Sequence, residues 1–181
     1  MAREDHLYCA FFCEENIWQL AGELESDVDA AEVWMITNAD GTVATWAQRA
    51  ASSPDKPIIW DYHVVLATRS DAGWSVWDFD HAGPFTQSAS AWLQASFPVD
   101  TETDLAPRFR CIEASDYRRD FSSDRSHMHA PGREDLWMAP PPPWPPIGES
   151  RPSVLMDWLD CERDEPGQWR SLDELRRHLH G

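Results

Sequence analysis

The sequence predicts a mixed α/β (α+β) domain whose strands form a central antiparallel sheet, and three stretches carry that prediction. Residues 13–26 (CEENIWQLAGELES) place Ile17, Leu20, Ala21 and Leu24 at i, i+3, i+4 and i+7, the single apolar stripe of an amphipathic helix. Residues 58–68 (IIWDYHVVLAT) and 74–80 (WSVWDFD) are rich in β-branched and aromatic side chains, and Ser70-Asp71-Ala72-Gly73 between them is a turn signal. Together they read as a β-hairpin. Further helices are expected at 88–96 and about 172–179, with a short strand at 108–113 (RFRCIE) between them.

Taken in order, Cys13 opens the first helix. Glu14 and Glu15 occupy its first turn, where carboxylates suit the positive end of the helix dipole. Residues 32–37 (EVWMIT) read as a strand that ends in the turn signal Asn38-Ala39-Asp40-Gly41, and 42–50 resume as a strand or short helix around Trp46. The segment SSPDKP is a loop. Beyond 113, residues 114–153 lose periodicity and gain proline, peaking in Pro140-Pro141-Pro142-Pro143-Trp144-Pro145-Pro146. Such a run is preformed for an SH3-type groove, but the embedded tryptophan favours a rigid strap lying across its own domain. The expected organisation is one catalytic domain over 1–181 with a Pro-rich strap at 139–147.

The composition narrows the partners. Fifteen basic against 32 acidic residues give a formal charge of −17, which repels phosphate backbones and argues against nucleic acid. The same charge tolerates a cationic ligand such as a free peptide N-terminus. No apolar run approaches the roughly 20 residues of a membrane span, and MAREDHLYCAFFCEEN lacks the long apolar centre of a signal peptide. A soluble cytoplasmic monomer with no membrane partner is expected. The four cysteines, at 9, 13, 111 and 161, form no CxxC pair and no zinc-like cluster with histidine. No metal or other cofactor is expected, and the thiols are free.

One of those thiols has a setting for chemistry. Strand alternation in 58–68 puts Ile59, Asp61, His63 and Val65 on one face, and Val76, Asp78 and Asp80 share a face of the second strand. A turn centred on Asp71-Ala72 pairs residues whose numbers sum to 143, so His63 faces Asp80, with Asp78 one diagonal step away at roughly 7–8 Å. The hairpin thus supports a His–Asp pair without deciding which aspartate completes it. Cys13 is the candidate nucleophile, because a helix N-terminus and a neighbouring imidazolium both lower a thiol pKa from its free value of about 8.5. Helix-end N–H groups also suit an oxyanion. Glu14 and Glu15 oppose the thiolate if they lie close. Each residue also has an ordinary structural explanation: a cysteine before a helix is commonly a small buried hydrophobe, and the aspartates can simply close a hairpin.

The residues that carry this constellation resemble a known family. Trp60-Asp61-Tyr62-His63-Val64-Val65-Leu66 is similar to the WDYHV signature of protein N-terminal glutamine amidohydrolases. Cys13-Glu14-Glu15-Asn16-Ile17-Trp18 resembles that family's CEEN segment, Trp77-Asp78-Phe79-Asp80 its YDLD-like strand, Phe121 to Met128 its FASDRSHM block, and Pro140 to Ile147 its PPPPYPCI block. These five ordered blocks span most of the chain. Residues 129–139 depart from the pattern, Trp144 replaces a tyrosine, and Pro146 stands in place of a cysteine. The resemblance implies a papain- or transglutaminase-like fold with a Cys13–His63–Asp78 triad, choosing Asp78 over Asp80. It also implies conversion of an unblocked N-terminal glutamine of a protein or peptide to glutamate with release of ammonia, through a thioester, a step that feeds the N-degron pathway in eukaryotes.

Recognition of a chain terminus needs an anion for the α-ammonium, for which Glu14, Glu15, Asp61 and Asp124 are the candidates. His127 lies in the same block as Asp124 and is as readily a loop-pinning residue. The competing readings are a transglutaminase or cysteine protease using the same acyl chemistry, and a non-catalytic module that binds N-termini or proline-rich partners.

Overall fold

The computed structural model describes residues 2–24, 28–98 and 103–179. Helix α1 (Cys13–Leu24) is followed by β1 (Ala30–Thr37), β2 (Val43–Thr45), β3 (Ile58–Trp60), β4 (His63–Ser70), β5 (Gly73–Trp77) and β6 (Thr86–Ser88). Then come α2 (Ala89–Ser96), β7 (Arg108–Glu113), α3 (Ala114–Asp120), β8 (His129–Ala130), β9 (Arg133–Trp137), α4 (Leu155–Leu159), β10 (Gln168–Ser171) and α5 (Leu172–His178). Residues 25 and 26 of the expected first helix lie outside the described residues.

Six strands form one antiparallel sheet in the order β10-β7-β1-β4-β5-β6, and β2-β3 and β8-β9 form small two-stranded sheets. The period-2 alternation of β1 and β4 divides the core. Val33, Met35, Val64 and Leu66 pack on one face against Ile17, Leu20, Ala21 and Leu24 of α1, with Tyr117, Phe121 and Trp158. Trp34, Ile36, Val65, Ala67 and Val76 pack on the other against Trp92 and Leu93 of α2 and Leu175 of α5. Helices therefore cover both faces, which is why residues 33–36 of β1 and 64–67 of β4 are continuously apolar rather than alternating with polar residues. Among the described residues no helix is long and apolar enough to cross a membrane.

The hairpin has the expected register, with Leu66 opposite Trp77 and Ser70 opposite Gly73. Two expectations about it are corrected. The run 58–68 is not one strand: β3 pairs with β2, and the chain turns a corner at Asp61 before β4 begins. The corner is held by the Tyr62 N–H donating to the Asp61 carboxylate (2.9 Å) and by the Thr37 hydroxyl donating to the Asp61 carbonyl (2.7 Å). Ile59, Asp61 and His63 consequently share no strand face. The ladder also stops at the Leu66–Trp77 pair, so Asp80 does not stand opposite His63. His63 instead pairs across β1 with Ile36, and the Asp78 N–H turns to the Phe85 carbonyl. Of residues 42–50 only Val43–Thr45 form a strand.

The Pro-rich segment packs against the start of α1. The Trp144 indole donates to the Glu15 carboxylate (2.7 Å), the Ile147 carbonyl accepts from Ser123, and Ala139 and Ile147 are buried.

Candidate active site

Each side chain of the Cys13-Glu14-Glu15-Asn16 run has a different task. Asn16 is buried and bonds both backbone groups of Cys9, accepting from its N–H and donating to its carbonyl at 2.8 Å each. This clamp closes the turn that delivers Phe12 and Cys13 to the helix, a turn in which Phe11 takes the left-handed φ of 69°. Glu15 is fully buried and receives both arms of the Arg125 guanidinium (2.7 and 2.8 Å) besides Trp144. A buried carboxylate is tolerated only when paired and hydrogen-bonded, and this arrangement meets both needs. Glu14 is also fully buried and lies beside the nucleophile candidate, its Oε2 3.7 Å from the Cys13 sulfur.

On the other side of the site His63 and Asp78 are both buried, and His63 Nε2 lies 3.0 Å from Asp78 Oδ1. The Asp78 oxygens also accept from the Trp92 indole (3.0 Å) and from the Asp80 N–H (2.9 Å). Trp60 stacks on the imidazole with centroids 5.9 Å apart. Burial alone pushes the Asp78 pKa upward. The charge and bond of His63, with the Trp92 and Asp80 donors, outweigh that and hold it well below the ordinary carboxylate range. For His63 burial works downward, and the Asp78 charge and bond, with a smaller contribution from Asp80, outweigh it and raise the imidazole pKa.

Cys13 and His63 line one cavity of about 290 Å³, with Trp60, Asp61, Tyr62, Asp80 and His127 among its walls. Its volume is near the lower end for small-molecule sites. Phe11 and Met138, both exposed, contribute apolar lining to the same cavity. The thiol departs from the thiolate-favouring setting expected of a helix end. Burial first, then the charges of Glu14 and Asp80, raise the Cys13 pKa well above its ordinary value, opposed by the Val64 N–H directed at the sulfur.

Behind the cavity wall lies a second set of titratable groups. The Tyr62 hydroxyl is 3.0 Å from Glu14 Oε2 and 3.1 Å from His127 Nε2, and that nitrogen is 3.5 Å from Glu14 Oε1. Burial raises the Glu14 pKa to about 7, against its own N–H, with Glu15 adding to the rise and the Tyr62 and Cys13 donors lowering it. Burial lowers that of His127.

The four acids expected to meet a substrate amine are not brought together. Asp61 lines the cavity, although it is exposed. Glu14 is fully buried and does not line it. Glu15 is committed to Arg125 and Trp144. Asp124 is exposed, accepts from the Ser126 N–H (2.9 Å), and has its pKa lowered by the Ser126 backbone and hydroxyl donors. Neither Glu15 nor Asp124 lines the cavity.

Sequence reasoning set Asp80 aside, and yet it lines the cavity. His63, Asp78 and Asp80 bring one nitrogen or oxygen each within 4.8 Å of one another, a spacing a metal ion can bridge. Here that closeness is accounted for by the His63–Asp78 bond and by the Asp80 N–H capping Asp78. Tyr62 and Trp92 were also missed as site residues. The alternation around the corner at Asp61 is the one signal that bears on Tyr62, and nothing in the spacing of 88–96 singles out Trp92.

Comparison with known proteins identifies the family. Residues 8–179 match the family model described as N-terminal glutamine amidase. The chain is 34% identical to the protein N-terminal glutamine amidohydrolase of Homo sapiens, over 98% of this chain and 88% of that one. It is 31% identical to the Drosophila melanogaster protein of the same name, over 97% of this chain and 89% of the other. For the Caenorhabditis elegans protein of that name the identity is 30%, over 88% and 87%. With the matched region running from Tyr8 to Leu179 and taking in both walls of the cavity, the chain belongs to the N-terminal glutamine amidase family.

Proposed function

We propose that this protein deamidates an unblocked N-terminal glutamine of a protein or peptide, releasing ammonia and leaving glutamate. The observation that carries the reading is the buried His63–Asp78 bond through Nε2 at the wall of a small cavity that also holds Cys13. With Nε2 committed, Nδ1 is the nitrogen left for the thiol. Because burial and the Glu14 and Asp80 charges push the Cys13 pKa upward, we assign His63 as general base during attack rather than as partner of a stored thiolate.

Cys13 sulfur attacks the glutamine side-chain carbonyl carbon while its proton passes to His63. The tetrahedral intermediate carries an oxyanion. Of the first N–H groups of α1, that of Glu14 is turned to its own carboxylate, which leaves the Cys13 N–H for the oxyanion. Protonated His63 then gives its proton to the nitrogen that leaves as ammonia, and a γ-glutamyl thioester remains. Water, deprotonated by His63, attacks the thioester, and the thiol recovers its proton. Asp78 holds the imidazole tautomer and supports its positive charge throughout.

In fold terms we read the antiparallel sheet, with the cysteine at a helix N-terminus, the histidine on β4 and the aspartate just past the end of β5, as papain- or transglutaminase-like. We take the working unit to be a monomer. The four unpaired cysteines suit a reducing cytoplasm.

The test is incubation with peptides beginning in Gln, Asn or acetyl-Gln, followed by mass spectrometry. Conversion of amide to acid on the free Gln peptide alone, abolished in Cys13→Ala, is the expected result. An unchanged Gln peptide, or equal turnover by the alanine variant, overturns the reading. Amine incorporation or backbone cleavage would instead indicate a transglutaminase or a protease.

A further inference from the structure

We propose that Asp80 is the specificity-determining residue that receives the α-ammonium of the substrate, and that Tyr8, from the segment before α1, positions it. The inference rests on the deamidase reading above and concerns how that site distinguishes a free terminus from a blocked one.

Among the described residues only Asp61 and Asp80 supply carboxylates to the cavity wall. Asp61 is exposed, so an ion pair there is solvated and weak. Asp80 is half-buried and fixed on three sides. Its N–H donates to Asp78 (2.9 Å), its carbonyl accepts from the Arg49 N–H (2.7 Å), and its Oδ1 accepts from the Tyr8 hydroxyl at 2.6 Å. Tyr8 is itself held, stacked on Phe79 with centroids 5.4 Å apart and covered by the Arg49 guanidinium. Burial, then the bond and charge of Asp80, push the Tyr8 pKa upward, so its hydroxyl keeps the proton it donates. Oδ2 has no protein donor among the described residues. A carboxylate held this firmly at the cavity wall, with one oxygen free of protein donors, is preorganised for a cation.

The reach also fits. In glutamine the α-nitrogen and the side-chain carbonyl carbon are separated by four bonds, a span of roughly 4–5 Å. The Asp80 carboxylate lies within 4.8 Å of a His63 ring nitrogen. An ammonium seated on Asp80 therefore leaves the carboxamide beside His63 and Cys13. An acetylated terminus brings no charge to Asp80 and adds bulk to a small cavity, which is how a site rejects the wrong ligand.

The experiment measures binding of a Gln-started peptide and its N-acetyl form to the Cys13→Ala protein by calorimetry, then adds Asp80→Asn or Asp61→Asn. The parent variant is expected to prefer the free terminus by at least about tenfold. Asp80→Asn should remove that preference, and Asp61→Asn should lower it by no more than about twofold. The preference should also decline above about pH 8, as the α-amine loses its proton, and be pH-independent in Asp80→Asn. If Asp80→Asn does not fold, Tyr8→Phe is read instead, with selective weakening for the free peptide expected. A preference that survives in Asp80→Asn or Tyr8→Phe, or that disappears in Asp61→Asn, overturns the assignment. Turnover by the unmodified protein is followed in parallel. Absence of any deamidation defeats the functional reading itself, whereas deamidation with an intact preference in Asp80→Asn defeats only the role of Asp80.

Discussion

His63 meets Asp78 through Nε2 at 3.0 Å, with both side chains buried and Trp92 closing the far oxygen of the carboxylate. This bond commits Nε2 and leaves Nδ1 as the unengaged ring nitrogen, and the Asp78 charge and bond raise the His63 pKa against the opposing effect of burial.

Asp78→Asn is therefore expected to act twice. An amide cannot accept from all three donors that converge on Asp78, so kcat/KM should fall by about 10⁴-fold, as for the comparable change in a serine protease triad. The active form needs neutral His63, and the rate rises with pH as that residue loses its proton. Without the Asp78 charge burial prevails, the His63 pKa drops, and the acid limb of kcat/KM moves to lower pH. A pH–rate profile on residual activity checks this, and an unmoved limb would show that Asp78 does not govern His63.

Glu14 supports a second pH prediction. Its pKa of about 7 and its 3.7 Å approach to the Cys13 sulfur mean that it gains a negative charge beside the thiol as pH rises through neutrality. That charge disfavours the thiolate. Glu14→Gln should accelerate alkylation of Cys13 by iodoacetamide at pH 8 by roughly tenfold. At pH 5.5, where Glu14 is protonated and position 14 is neutral in both proteins, the two rates should converge. Equal rates at pH 8 would rule out an electrostatic effect of Glu14 on the thiol.

Much of the frame behind these residues was legible. The 3.6-residue stripe from Ile17 to Leu24 marks α1, and the turn at 70–73 fixes the β4–β5 register, because a buried face penalises any slip. The corner at Asp61 was not legible, since WDYHV has the composition of a continuous strand and the break is made by Thr37, far away in sequence. For the same reason alternation misplaced Asp61 and Asp80: each sits just beyond the end of a ladder, where period 2 no longer applies. Elements α3, β9, α4 and β10 are short. The five-residue α4 buries only Leu155 and Trp158, too few for a periodic signal. The motif blocks identified the cavity walls, but burial decides which of their acids faces substrate. Sequence spacing does not report burial.

The buried Glu15–Arg125 pair links α1, the loop before His127 and the Pro-rich segment through Trp144. Glu15→Ala leaves an uncompensated guanidinium and should destabilise the fold by about 3–5 kcal/mol. Trp144→Phe removes one bond to a charged acceptor and should cost about 1.5–3 kcal/mol. Urea denaturation separates the two. A Glu15→Ala midpoint equal to that of the unmodified protein would mean that the pair does not hold these segments together.

Asn16 provides a test of positioning that leaves the reacting groups intact. Its amide clamps the Cys9 backbone with two bonds and so sets the turn from which Cys13 enters the helix. In Asn16→Ala the freed Cys9 groups are partly accessible to water, so the stability loss should stay near 1–3 kcal/mol for the two bonds. The catalytic loss should be larger than that suggests, because a displacement of the nucleophile by about 1 Å is enough to lower a rate 10²-fold. The expected signature is a fall in kcat of roughly that size in a protein that still melts cooperatively, with peptide binding little changed. Unchanged kcat in the folded variant would show that Cys13 reaches its position without the clamp.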